Sequence, residues 1–228
     1  MEHLTAFLTR MPKVELHVHL ESTMPGEMLA RFAARQGREL PRPAERLYDC
    51  SAEDLSDFLA FLDNICSFVG TPEELAEAAE HAALESGREH IVYSEMILNP
   101  THWPQFSVPE IIAAVTAGFD RAAARGGADC RFTLSLSRTQ TGAEAMALVE
   151  DMKAHRTHRL AGLSIDGNEA LAERGSGSVR RSWRRVRRAS AAPPTPGRAA
   201  GRMACGTPWI SWRRTGWTTA SGRQRTRI

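Results

Sequence analysis

His17 and His19 stand two residues apart in the run Lys13-Val14-Glu15-Leu16-His17-Val18-His19-Leu20. A run this rich in Val and Leu reads as a β-strand, and positions i and i+2 of a strand face the same side. Two imidazoles on one side can ligate a single metal ion, although a bare His-x-His is also compatible with plain packing. Glu21 follows directly and offers either a functional carboxylate at the strand end or a surface acid. Farther on, Glu95 lies in a second strand-like run, where it reads as orienting structure. His102 sits in the loop after that run and reads as a solvated histidine, while Gly167 closes a later strand.

These residues need a scaffold, and the pattern up to about residue 170 supplies one. Strands are expected at Lys13–Leu20, Ile91–Leu98, Arg131–Leu136 and Leu160–Ile165. Between them, Thr23 stands before Pro25 and Glu27 as a helix start that Gly37 closes. Ser51 with Asp54 forms a capping-box pattern ahead of Leu55, Phe58, Leu59, Leu62 and Ile65, which share one helical face. Thr71-Pro72-Glu73 opens another helix. Ser107 with Glu110 caps one that stops at Gly126-Gly127, and Thr141 with Glu144 caps the next. Strands that alternate with helices imply βα units and a parallel sheet, an α/β fold.

The run Met11-Pro12-Lys13 through Leu20-Glu21 resembles the first-strand signature of the adenosine deaminase family of metal-dependent hydrolases. Tyr93-Ser94-Glu95 is similar to that family's second strand, and Gly162-Leu163-Ser164-Ile165-Asp166-Gly167-Asn168-Glu169 resembles its fourth. The resemblance implies a (β/α)8 TIM barrel with its chemistry at the C-terminal strand ends. It implies Zn2+ held by three His and one Asp, with His17 and His19 as the first two ligands. His19, Glu21 and Gly167 would meet the substrate, Gly167 by letting a purine approach the backbone closely. The implied reaction is hydrolytic deamination of a purine: adenosine to inosine and ammonia. Glu21 stands where many nucleoside deaminases carry a ribose-contacting Asp, so adenine or another aminopurine is the alternative. Ser22 departs from the Gly that commonly follows.

The family's later motifs, His-Ala-Gly-Glu, Asp-His-Gly and a paired Asp, are absent as written, so the third His ligand, the general acid and the Asp ligand are missing. Four strands are legible where eight are expected. Composition marks the break. The chain has 228 residues, 29 basic and 27 acidic, for a net charge of +2. Residues 174–228 hold fourteen Arg and no Asp, Glu or Lys, which leaves 15 basic against 27 acidic in residues 1–173. Four of the five Trp also lie after residue 173. Pairing each residue's last codon base with the next residue's first two allows His-Ala-Gly-Glu across Pro194–Arg198. Asp-His-Gly reads across Trp217–Ala220, with its Asp forced. Residues 1–173 therefore read as the N-terminal half of a barrel, about four βα units. Residues 174–228 read as an irregular, disordered, out-of-frame tail, and the chain as written is expected to be inactive.

The non-catalytic alternative is a fragment whose basic tail adheres to polyanions. Specific nucleic-acid binding is not expected, because out-of-frame GC-rich coding itself yields Arg, Gly, Pro and Trp. Open first and fourth strand edges invite self-association. Cys50, Cys66, Cys130 and Cys205 form no Cys-x-x-Cys pair and read as incidental thiols of a reducing compartment. The N-terminus lacks a secretory pattern and no run suggests a membrane span, so the expected location is cytoplasmic.

Overall fold

A computed structural model of the chain describes residues 2–49, 52 and 54–168. The helices are α1 (Glu2–Arg10), α2 (Gly26–Arg35), α3 (Leu55–Cys66), α4 (Pro72–Arg88), α5 (Val108–Ala124) and α6 (Gly142–Ala154). The strands are β1 (Lys13–His19), β2 (Ile91–Leu98), β3 (Asp129–Ser137) and β4 (Leu160–Asp166), in the spatial order β1-β2-β3-β4. Every neighbouring pair is parallel. A parallel neighbour cannot be reached by a hairpin, so each connection carries helices: α2 to α4, then α5, then α6. This is the succession of βα units expected of half a TIM barrel. The tail expectations fall on residues 174–228, outside the described residues.

Alternation along the strands separates two faces of the sheet. Met96, Leu98, Phe132, Leu134 and Leu163 join the core that α4, α5 and α6 cover, together with Leu75, Ile111, Phe119 and Leu148. The positions between them are largely polar: Glu15, His17 and His19 on β1, Glu95 on β2, Thr133 and Ser135 on β3, Ser164 and Asp166 on β4. Packing therefore uses one face and leaves the other for chemistry. Burial pushes the Cys66 thiol up and holds that of Cys130 at about 12, so both are inert; Cys50 and Cys205 lie outside the described residues.

The local signals act where expected at most helix ends. Ser107 with Glu110 and Thr141 with Glu144 form complete capping boxes, and Thr71 caps α4 ahead of Pro72. Gly37, at φ +65°, ends α2 with its N–H on Ala34 and that of Arg38 on Ala33, the paired bonds of a left-handed C-terminal cap.

Two expected starts are corrected. Thr23 does not open α2; its hydroxyl donates to Leu20 O at 2.9 Å and closes a 3-10 turn over Leu20–Ser22. The helix begins at Gly26, beside the Ala44 carbonyl, where a Cβ has no room. Ser51 lies outside the described residues, and Asp54 caps α3, accepting from the Ser56 and Asp57 N–H groups at 2.7 and 3.0 Å. Helix α1 was not expected at all. Its Leu4, Phe7 and Leu8 are exposed, so no burial pattern distinguishes it. None of the helices among the described residues is long and apolar enough to cross a membrane.

Candidate functional site

The C-terminal ends of β1, β2 and β4 bring the chemistry-bearing residues together. On β1 the His17 and His19 rings meet edge to face, their centroids 5.3 Å apart. Burial lowers the His19 pKa, and His17 and His102 add to that against the pull of Asp166. The neutral ring so favoured is the form that binds metal. Nδ1 of His19 lies 3.8 Å from Oε2 of Glu21.

Glu21 is completely buried, which rules out the surface-acid reading. The 3-10 turn after β1 folds it inward. Its Oε1 accepts the Asn99 backbone N–H at 2.6 Å, whereas its buried Oε2 has no hydrogen-bond partner among the described residues. Burial pushes its carboxyl up to about 7, opposed by the Asn99 N–H and by His102. A buried carboxylate oxygen left open is costly unless something completes it.

Asn99, just past β2, binds in three directions. Its Nδ2 donates to Asp166 Oδ1 at 2.5 Å, while its Oδ1 accepts from Thr101 N and Oγ1 at 3.0 and 2.8 Å. That cap starts the short turn Pro100–His102. Asp166 is half-buried, and burial raises its pKa against the opposing pull of Ser135, His19, His102 and the Asn99 amide.

His102 overturns its expected solvated state. Its side chain is 10% exposed and Nδ1 pairs with Asp63 Oδ1 of α3 at 2.5 Å. The capped turn folds the loop back onto α3 and carries the ring inside. Its charge, when present, acts on His19, Glu21 and Asp166 alike.

Gly167 follows β4 at φ +94°, in the left-handed region that favours glycine. A Cβ there would find only ordinary contacts at 3.5 Å, so the backbone conformation requires glycine more than lack of space does. Glu95 accepts the Tyr93 hydroxyl at 2.7 Å, in keeping with an orienting role.

Sequence reasoning singled out His17, His19, Glu21 and Gly167 and passed over Asn99, Asp166 and Asp63. Asn99 before Pro100 does carry a turn-capping signal, and Asp166 abuts the glycine that ends β4. Asp63 gives no signal along the chain.

Among the described residues no group of three or more His, Cys, Asp or Glu is arranged to hold a metal. The histidine pair suits zinc in donor type, and a carboxylate facing the Nδ1 of His19 matches the support that metal-bound imidazoles receive.

Residues 12–192 match the sequence profile of the adenosine deaminase family. The chain belongs to that family. Over 170 residues it is 28% identical to the adenine deaminase of Rhodospirillum rubrum, covering 72% of this chain and 50% of that protein. It is 25% identical over 167 residues to the adenosine deaminase of Enterococcus faecalis, covering 70% and 50%. A zinc-bound amidohydrolase from Burkholderia ambifaria superposes with a TM-score of 0.67 at 26% identity, over 81% of this chain and 51% of that one. The chain thus spans about half the length of the family members it matches. Its four parallel βα units are half of the TIM barrel of this family.

Proposed function

We propose that the chain carries the N-terminal half of the site of a zinc-dependent hydrolytic purine deaminase, with adenine as substrate ahead of adenosine. Glu21 carries this reading: a fully buried carboxylate, one oxygen fixed by Asn99 and the other open beside His19. His17 and His19 would hold the zinc, and a bound zinc brings the pKa of water from about 15.7 to near 7. Oε2 of Glu21 would accept an N–H from the purine ring, which both anchors the base and satisfies the buried oxygen. His102, fixed through Nδ1, would meet the ligand from the β2 side.

Glutamate reaches one methylene farther than the Asp that the family resemblance associates with ribose, and so takes room a sugar would use. The relative named adenine deaminase supports the base. Adenosine remains the second reading, supported by the E. faecalis relative of similar identity.

The third His ligand, the Asp ligand and the proton-donating Glu of the family are not found among the described residues. A one-base shift in residues 174–228 would allow His-Ala-Gly-Glu and Asp-His-Gly. In the written frame the chain lacks groups that act as a unit with His17 and His19, and turnover is not expected.

The substrate reading is tested by Glu21→Asp in a frame-restored chain. The unsubstituted protein should favour adenine, and the shorter carboxylate should move the kcat/KM ratio toward adenosine. An unmoved ratio would overturn the role of Glu21.

A further inference from the structure

We infer that Asn99 is the positioning residue of this site: its side-chain amide locks the Asp166 carboxylate and the His102-bearing turn to the strand end that its backbone N–H fixes to Glu21. The inference rests on the purine-site reading and adds the part that holds the site in shape.

The geometry is that of a junction. Asn99 is buried, 3% exposed; its backbone N–H donates to Glu21 and its Nδ2 to Asp166, while its Oδ1 accepts from Thr101. These bonds tie the ends of β1 and β4 to the loop after β2 across 78 and 67 residues of sequence. An amide suits the position because it donates and accepts at once. Asp in its place would keep the bonds from Thr101 but set a third carboxylate between Glu21 and Asp166. Ala would release both. The second support of His102, its bond to Asp63, fixes the ring only if the turn that carries it is held.

Such fixing matters because a ligand that meets Glu21, His102 and Asp166 must find them in register. Displacement of about 1 Å in a supporting group can cost about a hundredfold in rate. Asn99 touches neither metal nor purine in this arrangement; it acts through the groups it holds.

The test uses the full chain with 15N-labelled histidine, and His102→Gln to assign the ring signals. Asn99→Asp should displace the His102 ring signals without ligand present. It should also weaken adenine binding by about tenfold or more, the change expected from losing a hydrogen bond to a charged group. The exchange Asn99→Asp with Asp166→Asn restores a donor–acceptor pair and should return the ring signals toward their original positions. A merely structural Asn99 would lower the unfolding temperature while leaving ring signals and affinity alone, and that result overturns the inference. If Asn99→Asp does not fold, the exchanged protein decides: original ring signals support the role, displaced ones overturn it. A parent chain that binds neither adenine nor adenosine would count against the purine reading, and the ring signals alone would then decide for Asn99.

Discussion

The backbone N–H of Asn99 donates to Oε1 of Glu21 at 2.6 Å, joining the end of β2 to the turn after β1. Each group answers a need of the other. The N–H would otherwise be buried without a partner, and the carboxylate would lie fully buried without a donor.

Substitutions at Glu21 should therefore separate acceptor from charge. Glu21→Gln keeps an acceptor for Asn99 and removes a buried charge, so stability should change by less than about 1 kcal/mol. Glu21→Ala orphans the Asn99 N–H and should cost about 1–3 kcal/mol. Urea unfolding of the two proteins at pH 8 measures the difference, and equal losses would contradict the pairing.

Glu80 on α4 accepts from Nε of Arg121 on α5 at 2.7 Å and from Arg125, just past the end of α5. Burial alone would raise its pKa, but the two guanidinium groups outweigh that and hold it below the ordinary 4.5. A depressed carboxylate stabilises the fold above its ordinary pKa, and that contribution is lost as pH falls through the folded value. Glu80→Gln should lower the melting temperature at neutral pH and flatten its decline below about pH 4.5. A mutant that loses stability in parallel with the parent down to pH 3 would contradict this.

Gly118 lies where α5 crosses α4, and a Cβ there would run into the Ala76 carbonyl and stand 2.8 Å from the Ala79 Cβ. Backbone offers no rotamer to move aside. Gly118→Ala should destabilise by about 1–3 kcal/mol despite the better helix propensity of Ala. An unchanged midpoint in urea would show that the helices slide freely.

Arg159, 8% exposed, donates to Asp120 at 2.9 Å, Asp129 at 2.6 Å and the Cys130 carbonyl at 3.1 Å. It pins the start of β4 to β3 and α5. Both Asp partners are more than a third exposed, which discounts their share, so Arg159→Met should cost about 1–3 kcal/mol, chiefly through the orphaned carbonyl. Chemical denaturation checks the figure.

What was legible in the sequence was local. The strand ends of Ile91–Leu98 are those observed, and the Ser107–Glu110 and Thr141–Glu144 boxes work within one turn. His17 and His19 were legible because strand alternation alone puts them on one face. Readings that depended on distant partners were not. His102 is withdrawn from solvent by Asp63, 39 residues earlier, and Thr23 gives up helix initiation because Gly26 must lie against Ala44. Asn99 has only a capping signal along the chain; its role comes from Glu21 and Asp166, which the fold alone brings to it.

The most direct test of the central claim is ammonia release from adenine, with zinc supplied, by two proteins: the 228-residue chain and its version shifted by one base near codon 174. The shifted protein should release ammonia, an activity abolished by His17→Ala or His19→Ala, and the chain as written should release none. Turnover by the chain as written would show that residues 1–228 already hold a complete site. A shifted protein that folds and binds zinc yet deaminates neither adenine nor adenosine would contradict the purine deaminase reading.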